Sequence, residues 1–307
     1  MNILITGGTG FIGGHILDAL LRRPELGPDA RVLCMTRDPK GKSHDDPRVS
    51  FVAGNVRDTA MLEHATEGVD VVVHCVQFPN HPVEDERKGH TYLEVDAHGT
   101  ERLVAACRKN GTKRIVYLSG AGTSPDRPEP WFQAKVIAER AVRESGAEWV
   151  ILRPSWVYGP DDRSLNRFVT FVRYLPIVPV IGDGRNKVQP IAIWDVAEAA
   201  AESVFSDAAT NQTIELGGPE ELTMDEIIGV LQKVMGTHRM VIHQPKGLMK
   251  LAVWPMAILP TPPLSPEAID FILQEAHVDT EAARRIFGRD FTRLEDGLRR
   301  YLKSGQD

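Results

Sequence analysis

The stretch that decides the fold is TGGTGFIG, Thr6 to Gly13, which follows an apolar run over 2–6 and opens onto helical periodicity over 12–22. A strand, the glycines Gly7, Gly10 and Gly13, and a helix, in that order, describe a strand-to-helix turn in which each glycine has its own task. Gly7 allows the tight turn, Gly10 lets a diphosphate approach the backbone, and Gly13 lets the helix pack close to the sheet. The first-turn N–H groups lack intrahelical partners, and with the positive end of the helix dipole they form a phosphate site. A dinucleotide is therefore expected here, with Thr9, Phe11 and Ile12 also at the cofactor.

Outward from this turn, strand patterns over 31–36, 49–53, 69–75, 114–119 and 148–153 alternate with helical patterns over 59–65, 95–109 and 133–145. That alternation calls for an α/β fold, a doubly wound parallel Rossmann sheet over residues 1–153. Right-handed crossovers bring all the C-terminal strand ends to one edge, so Gly7, Arg37, Asn55, Cys75 and Ser119 are expected to face one cleft. Beyond Arg153 the prolines Pro154, Pro160, Pro176, Pro179 and Pro190 break the winding. Residues 154–307 are expected to form a smaller C-terminal capping lobe, with helices over 195–206, 223–235 and 266–274. A strand over 213–216 would take the chain back to the sheet.

The 307 residues are 42% hydrophobic and 25% charged, enough to bury a large core. Lysine and arginine total 36 against 42 acids, a net charge of -6, and no basic run is interleaved with aromatics, so nucleic acid is not an expected partner. Cys34, Cys75 and Cys107 lie in apolar surroundings without paired spacing and read as reduced thiols of a cytoplasmic protein. Met1 leads straight into a strand, and no export signal is expected. His74 closes a buried strand, while His81 and His90 read as solvated loop histidines; no metal site is expected.

Cofactor choice rests on the end of the second strand, where a carboxylate would grip the ribose 2′-hydroxyl of NAD. The chain has Thr36 and Arg37 there, and a guanidinium pairs with the 2′-phosphate of NADP, so NADP is favoured with NAD left open. Asp38 offers Arg37 a rival partner. Asn55 and Val56, after the third strand, fall where an amide and an N–H meet the adenine edge, and Cys75 is expected at the cofactor after the fourth.

TGGTGFIG, GNVRD (54–58), VVVH (71–74), LRPSWVYGP (152–160), GDG (182–184) and PIAIWDVA (190–197) resemble, nearly end to end, the landmarks of the extended and atypical short-chain dehydrogenase/reductase superfamily, which is NAD-dependent epimerase/dehydratase-like. The resemblance implies a Tyr-x-x-x-Lys pair whose tyrosine exchanges a proton with substrate and whose lysine binds the nicotinamide ribose. The matching stretch is WFQAKVIAE: Lys135 is present, and Trp131 stands in the tyrosine's place. A phenol with a pKa of ~10 can be tuned into an acid or base, whereas an indole N–H only donates. Ser119 matches the substrate-polarising serine. Lys135 itself, Tyr158, His81 or a water near Ser119 is left to handle the proton; the isoflavone-reductase-like members manage with lysine.

Three readings follow. The first is an NADP(H)-dependent oxidoreductase acting on an apolar carbonyl or quinone-like substrate. The second is a dinucleotide-binding structural subunit or redox sensor, since the Trp131 segment and the tail resemble the Rossmann-type accessory subunit of mitochondrial complex I. The third, a sugar-nucleotide epimerase or dehydratase, loses most from Trp131. The expected substrate pocket takes in Gln77, Trp131 and Trp156; Trp131 either stacks on a ligand or fills a core gap. Lys135, if merely structural, would pair with Glu139 one turn on. The apolar, proline-broken stretch over 247–264 is too interrupted to span a bilayer and reads as a lid, a peripheral membrane contact or a lobe helix. The chain is expected to be a monomer or a homodimer.

Overall fold

The computed structural model describes residues 1–254, 265–275 and 277–302. Seven strands form a central sheet in which every neighbouring pair is parallel: β1 (Asn2–Thr6), β2 (Arg31–Thr36), β3 (Val49–Ala53), β4 (Val71–His74), β5 (Arg114–Leu118), β6 (Glu148–Pro154) and β11 (Gln212–Leu216). Their spatial order is β11-β6-β5-β4-β1-β2-β3, so the winding reverses between β1 and β4. Ligands of such sheets lie at that reversal, outside the carboxyl ends of the strands. The expected return of the chain to the sheet is β11, paired with β6.

Both faces of the sheet are covered, which is why its strands read as near-continuous apolar runs. Ile3, Ile5, Val73 and Val116 point to one face, where α1 (Phe11–Leu21), α6 (Ile193–Ser203) and α10 (Glu281–Phe287) supply Ile16, Leu20, Ala200 and Phe287. Leu4, Val72, Ile115 and Ile151 point to the other, against α2 (Thr59–Ala65), α3 (His98–Asn110) and α4 (Pro130–Arg143). A π-helical turn, Tyr92–Ala97, runs directly into α3.

Segments from the stretch expected to form the capping lobe share a separate core of Leu165, Val169, Val178, Ile227, Leu231 and Leu298, while others, 191–204 and 283–287 among them, pack on the sheet. The stretch also contains β7 (Val157–Tyr158), α5 (Leu165–Tyr174), β8 (Ile177–Ile181), β9 (Lys187–Val188), β10 (Ile191–Ala192), β12 (Leu222–Thr223), α7 (Met224–Met235), β13 (Met240–Gln244), α8 (Lys246–Val253), α9 (Pro266–Ile272) and α11 (Leu294–Leu302). Its strand pairs are two to five residues long, too short to show a period in the sequence. Of the apolar stretch over 247–264, α8 is described and 255–264 lies outside the described residues. Lys246 and Lys250 of α8 both pair with Asp270 of α9, at 2.8 and 2.6 Å. Among the described residues no helix is long and apolar enough to cross a membrane.

Candidate functional site

Gly7 follows β1 at φ +79°, and a Cβ there would lie 2.9 Å from the Cys75 carbonyl oxygen, so the loops after β1 and β4 approach too closely for any side chain. A Cβ on Gly13 would lie 2.2 Å from the Gly7 carbonyl oxygen, which holds the start of α1 hard against the turn. Gly10 is the N-cap of α1, is exposed, and provides no side-chain cap. Thr9 is exposed beside it, with Phe11 and Ile12 half-buried. The cradle thus suits a diphosphate: backbone close-packed by absent Cβ atoms, with an uncapped helix start facing outward.

Along the same edge, Arg37 is exposed at the end of β2 and makes no ion pair with a described residue. Asp38 does not claim it; its carboxylate accepts the Lys40 N–H at 3.0 Å. Arg57 donates to the Lys88 carbonyl at 2.6 Å, and His90 sits nearby, held below the ordinary histidine value by burial and by the charges of Arg37, Arg57 and Lys88. His90 is therefore a half-buried, uncharged ring beside the cations Arg37, Arg57 and Lys88. Asn55 uses its side-chain oxygen locally, accepting the Arg57 N–H at 3.1 Å, and Val56 is buried. The Cys75 thiol donates to the Thr6 carbonyl at 2.9 Å, and burial pushes it up to about 12, leaving an inert thiol whose backbone does the work of the turn.

The interior of the cleft departs from expectation. Lys135 is not a surface residue and does not pair with Glu139; its ammonium is 2.8 Å from Asp96, a fully buried carboxylate in the π-helical turn, and 5.3 Å from the Tyr117 ring centroid. Burial opposes the charge on Lys135, but Asp96 outweighs it and holds the ammonium protonated, so Lys135 is no proton donor near neutrality. Behind the pair, His74 bonds Thr6 at 2.6 Å and Thr100 at 3.0 Å, and burial pushes it down to about 3.

Ser119 donates its hydroxyl to Glu139 at 2.6 Å. Glu139 is 1% exposed and also takes Arg153 at 2.8 and 2.7 Å and Arg143 at 2.7 Å. Burial works against its charge, yet the bonds from Arg153 and Ser119 prevail and keep the carboxyl below its ordinary range. Ser119 can therefore accept a hydrogen bond in the cleft, but its proton is committed to Glu139.

Tyr158 requires a correction. It is fully buried in the capping-lobe core, packs on Trp194, and donates to the Arg293 carbonyl at 3.4 Å, so it presents no proton to the cleft. His81 is a second correction: it is packed among Phe78, Tyr92 and Phe271, with ring centroids 5.4, 5.4 and 4.8 Å away, and burial pushes it down to about 3. Trp131, 8% exposed, joins this aromatic wall through Tyr92, Phe132 and Phe271 and donates its indole N–H to Gln274 at 2.7 Å. Gln77 is exposed at the edge of the cleft. Trp156 stands apart in the capping lobe, donating to Ser164 at 2.7 Å. The partners Asp96 and Gln274 were not singled out from the sequence, and Glu139 was expected to pair with Lys135 rather than with Ser119 and Arg153. Only Asp96, a charge inside an apolar helical stretch, carried a signal there.

A winding reversal with a glycine cradle at it defines a nucleotide-binding α/β protein of the extended short-chain dehydrogenase/reductase type. Residues 3–217 match the NAD dependent epimerase/dehydratase family, and the chain belongs to it. It is 28% identical to a 2-alkyl-3-oxoalkanoate reductase of Stenotrophomonas maltophilia over 99% of both chains. It is also 28% identical to the mitochondrial NADH dehydrogenase [ubiquinone] 1 alpha subcomplex subunit 9 of Arabidopsis thaliana, over 74% of this chain; it spans only 56% of that relative's length. Among solved structures, a dTDP-glucose 4,6-dehydratase double mutant from Streptomyces venezuelae, with NAD bound, superposes at TM-score 0.76 with 23% identity, covering 99% of this chain and 96% of that one. The UDP-glucose 4-epimerase of Thermotoga maritima does so at 0.76 with 20% identity over all of both chains.

Proposed function

We propose that the chain binds NADP(H) across the glycine turn and reduces an apolar, quinone-like acceptor for which the protein supplies no proton. The observation that carries this reading is the commitment of the interior donors: Ser119 to Glu139, Lys135 to Asp96, and the Trp131 N–H to Gln274. Gly7, Gly10 and Gly13 would seat the diphosphate, Arg37 the 2′-phosphate, and Lys135 would face the nicotinamide ribose. When bound, the reduced dinucleotide supplies a hydride, two electrons with one proton. A ketone that takes it becomes an alkoxide, about as basic as hydroxide, whose conjugate acid water has a pKa of ~15.7, and it needs an acid at hand. A quinone becomes a hydroquinone monoanion, a phenolate of pKa ~10, which can wait for a proton from water. The aromatic wall of Phe78, Tyr92, Trp131 and Phe271 suits such a planar apolar ring.

The test follows NADPH oxidation with duroquinone and with cyclohexanone. Turnover with the quinone alone is expected, and Trp131→Tyr, which returns a phenol beside Lys135, is expected to add ketone reduction. Wild-type reduction of cyclohexanone at the quinone's rate contradicts the reading, and silence with both favours a dinucleotide-binding subunit or sensor.

A further inference from the structure

The indole nitrogen of Trp131 has a hydrogen to give and no acceptor capacity. The Gln274 atom 2.7 Å from it is therefore the amide oxygen, and the chemistry of the indole fixes which way the carboxamide faces. With its oxygen toward Trp131, the amide turns its NH2 away, and that NH2 makes no hydrogen bond with a described residue. Gln274 is half-buried and lies beside the aromatic wall through its bond to Trp131. The segment before it is held: Phe271 packs edge-on to Trp131 at 5.3 Å, and the preceding Leu273 carbonyl accepts the Asn186 side chain. The result is an oriented donor with no hydrogen-bond partner among the described residues, next to the position that the resemblance gives to a tyrosine.

We propose that the Gln274 NH2 donates to the acceptor's carbonyl oxygen, in place of the missing phenol, and that Trp131 is the positioning residue that aims it. An amide stabilises a developing negative charge by its dipole and cannot release the proton, which matches an acceptor whose anion is protonated by water. The inference rests on the quinone-like reading and names the group that would recognise the quinone oxygen.

Gln274→Glu isolates the effect, because a carboxylate still accepts the Trp131 N–H at nearly the same size but offers no donor. Duroquinone is titrated into the full chain with NADP+ present, so that nothing turns over, and saturable quenching of indole fluorescence gives its Kd. We expect Gln274→Glu to weaken duroquinone about tenfold or more, with NADPH affinity within about twofold of wild type. Gln274→Leu, which cannot misplace a charge, is expected to weaken it about as much. In steady state, Gln274→Glu lowers kcat as well as raising KM, since the anion then forms beside a carboxylate. Duroquinone affinity unchanged in both variants, or no saturable quenching in the wild type, overturns the proposal. Quenching that depends on Gln274 without any NADPH oxidation sustains the acceptor site and rejects the reductase reading.

Discussion

At the glycine turn the chain withholds side chains: Gly10 leaves α1 without a side-chain cap, and absent Cβ atoms at Gly7 and Gly13 bring bare backbone to the edge of the cleft. Around Trp131 it does the opposite, filling the space with aromatic rings and giving Ser119, Lys135 and Trp131 internal partners. An uncapped helix start invites an anion, whereas satisfied polar groups resist being drawn into proton transfer. The two regions can therefore be altered separately. Binding of a dinucleotide and chemistry upon it are separate properties of this fold, and the sequence match covers them together.

The largest effect is expected at the first region. Gly13→Val places a Cβ 2.2 Å from the Gly7 carbonyl oxygen, so the start of α1 must shift; NADPH affinity is expected to fall more than about a hundredfold, with a lower Tm. Gly14→Ala next to it meets only ordinary contact at 3.8 Å and is expected to leave both unchanged or to raise Tm slightly, by helix propensity. Equal behaviour of the two in fluorescence titration would break the claim that close packing shapes the cradle.

In the second region, Glu139→Ala leaves half-buried Arg153 with only Glu215, 3.8 Å away, among the described carboxylates, and is expected to cost about 3–5 kcal/mol in urea unfolding. A cost below about 1 kcal/mol would mean that the Ser119 proton is not firmly held.

A smaller effect comes from His74, neutral in the fold at about 3 against ~6.5 when unfolded. Between those values the unfolded chain binds a proton that the fold refuses, so stability rises with pH across the window and is lost as pH falls through it. From pH 7.5 to 5.5 the loss for His74 is about 1.4 kcal/mol. Urea melts at the two pH values should show His74→Asn losing correspondingly less than wild type; an identical loss contradicts the buried neutral ring.

Much of the first region was legible in the sequence, because its signals are local. The strands Asn2–Thr6, Arg31–Thr36 and Val49–Ala53 end where β-branched and apolar runs end, and Gly10 and Gly13 act on Gly7, within six residues, although Gly7 itself answers to the distant Cys75 carbonyl. The second region is assembled from distant segments. Glu139 looked like the i+4 partner of Lys135, yet it faces Arg153, fourteen residues on, while Lys135 turns to Asp96. Gln274 meets Trp131 across a separation of 143 residues, and no periodicity encodes such a contact. Tyr158 sits in a segment that leads into the capping lobe, and only the packing of Trp194 shows it to be core.

The most direct test is a fluorescence titration of the purified full chain with NADPH and with NADH, repeated for Arg37→Glu. Arg37 has no ion-pair partner among the described residues, so NADPH is expected to bind about tenfold tighter than NADH, and Arg37→Glu to erase the difference. Uptake of neither dinucleotide would contradict the account at its base.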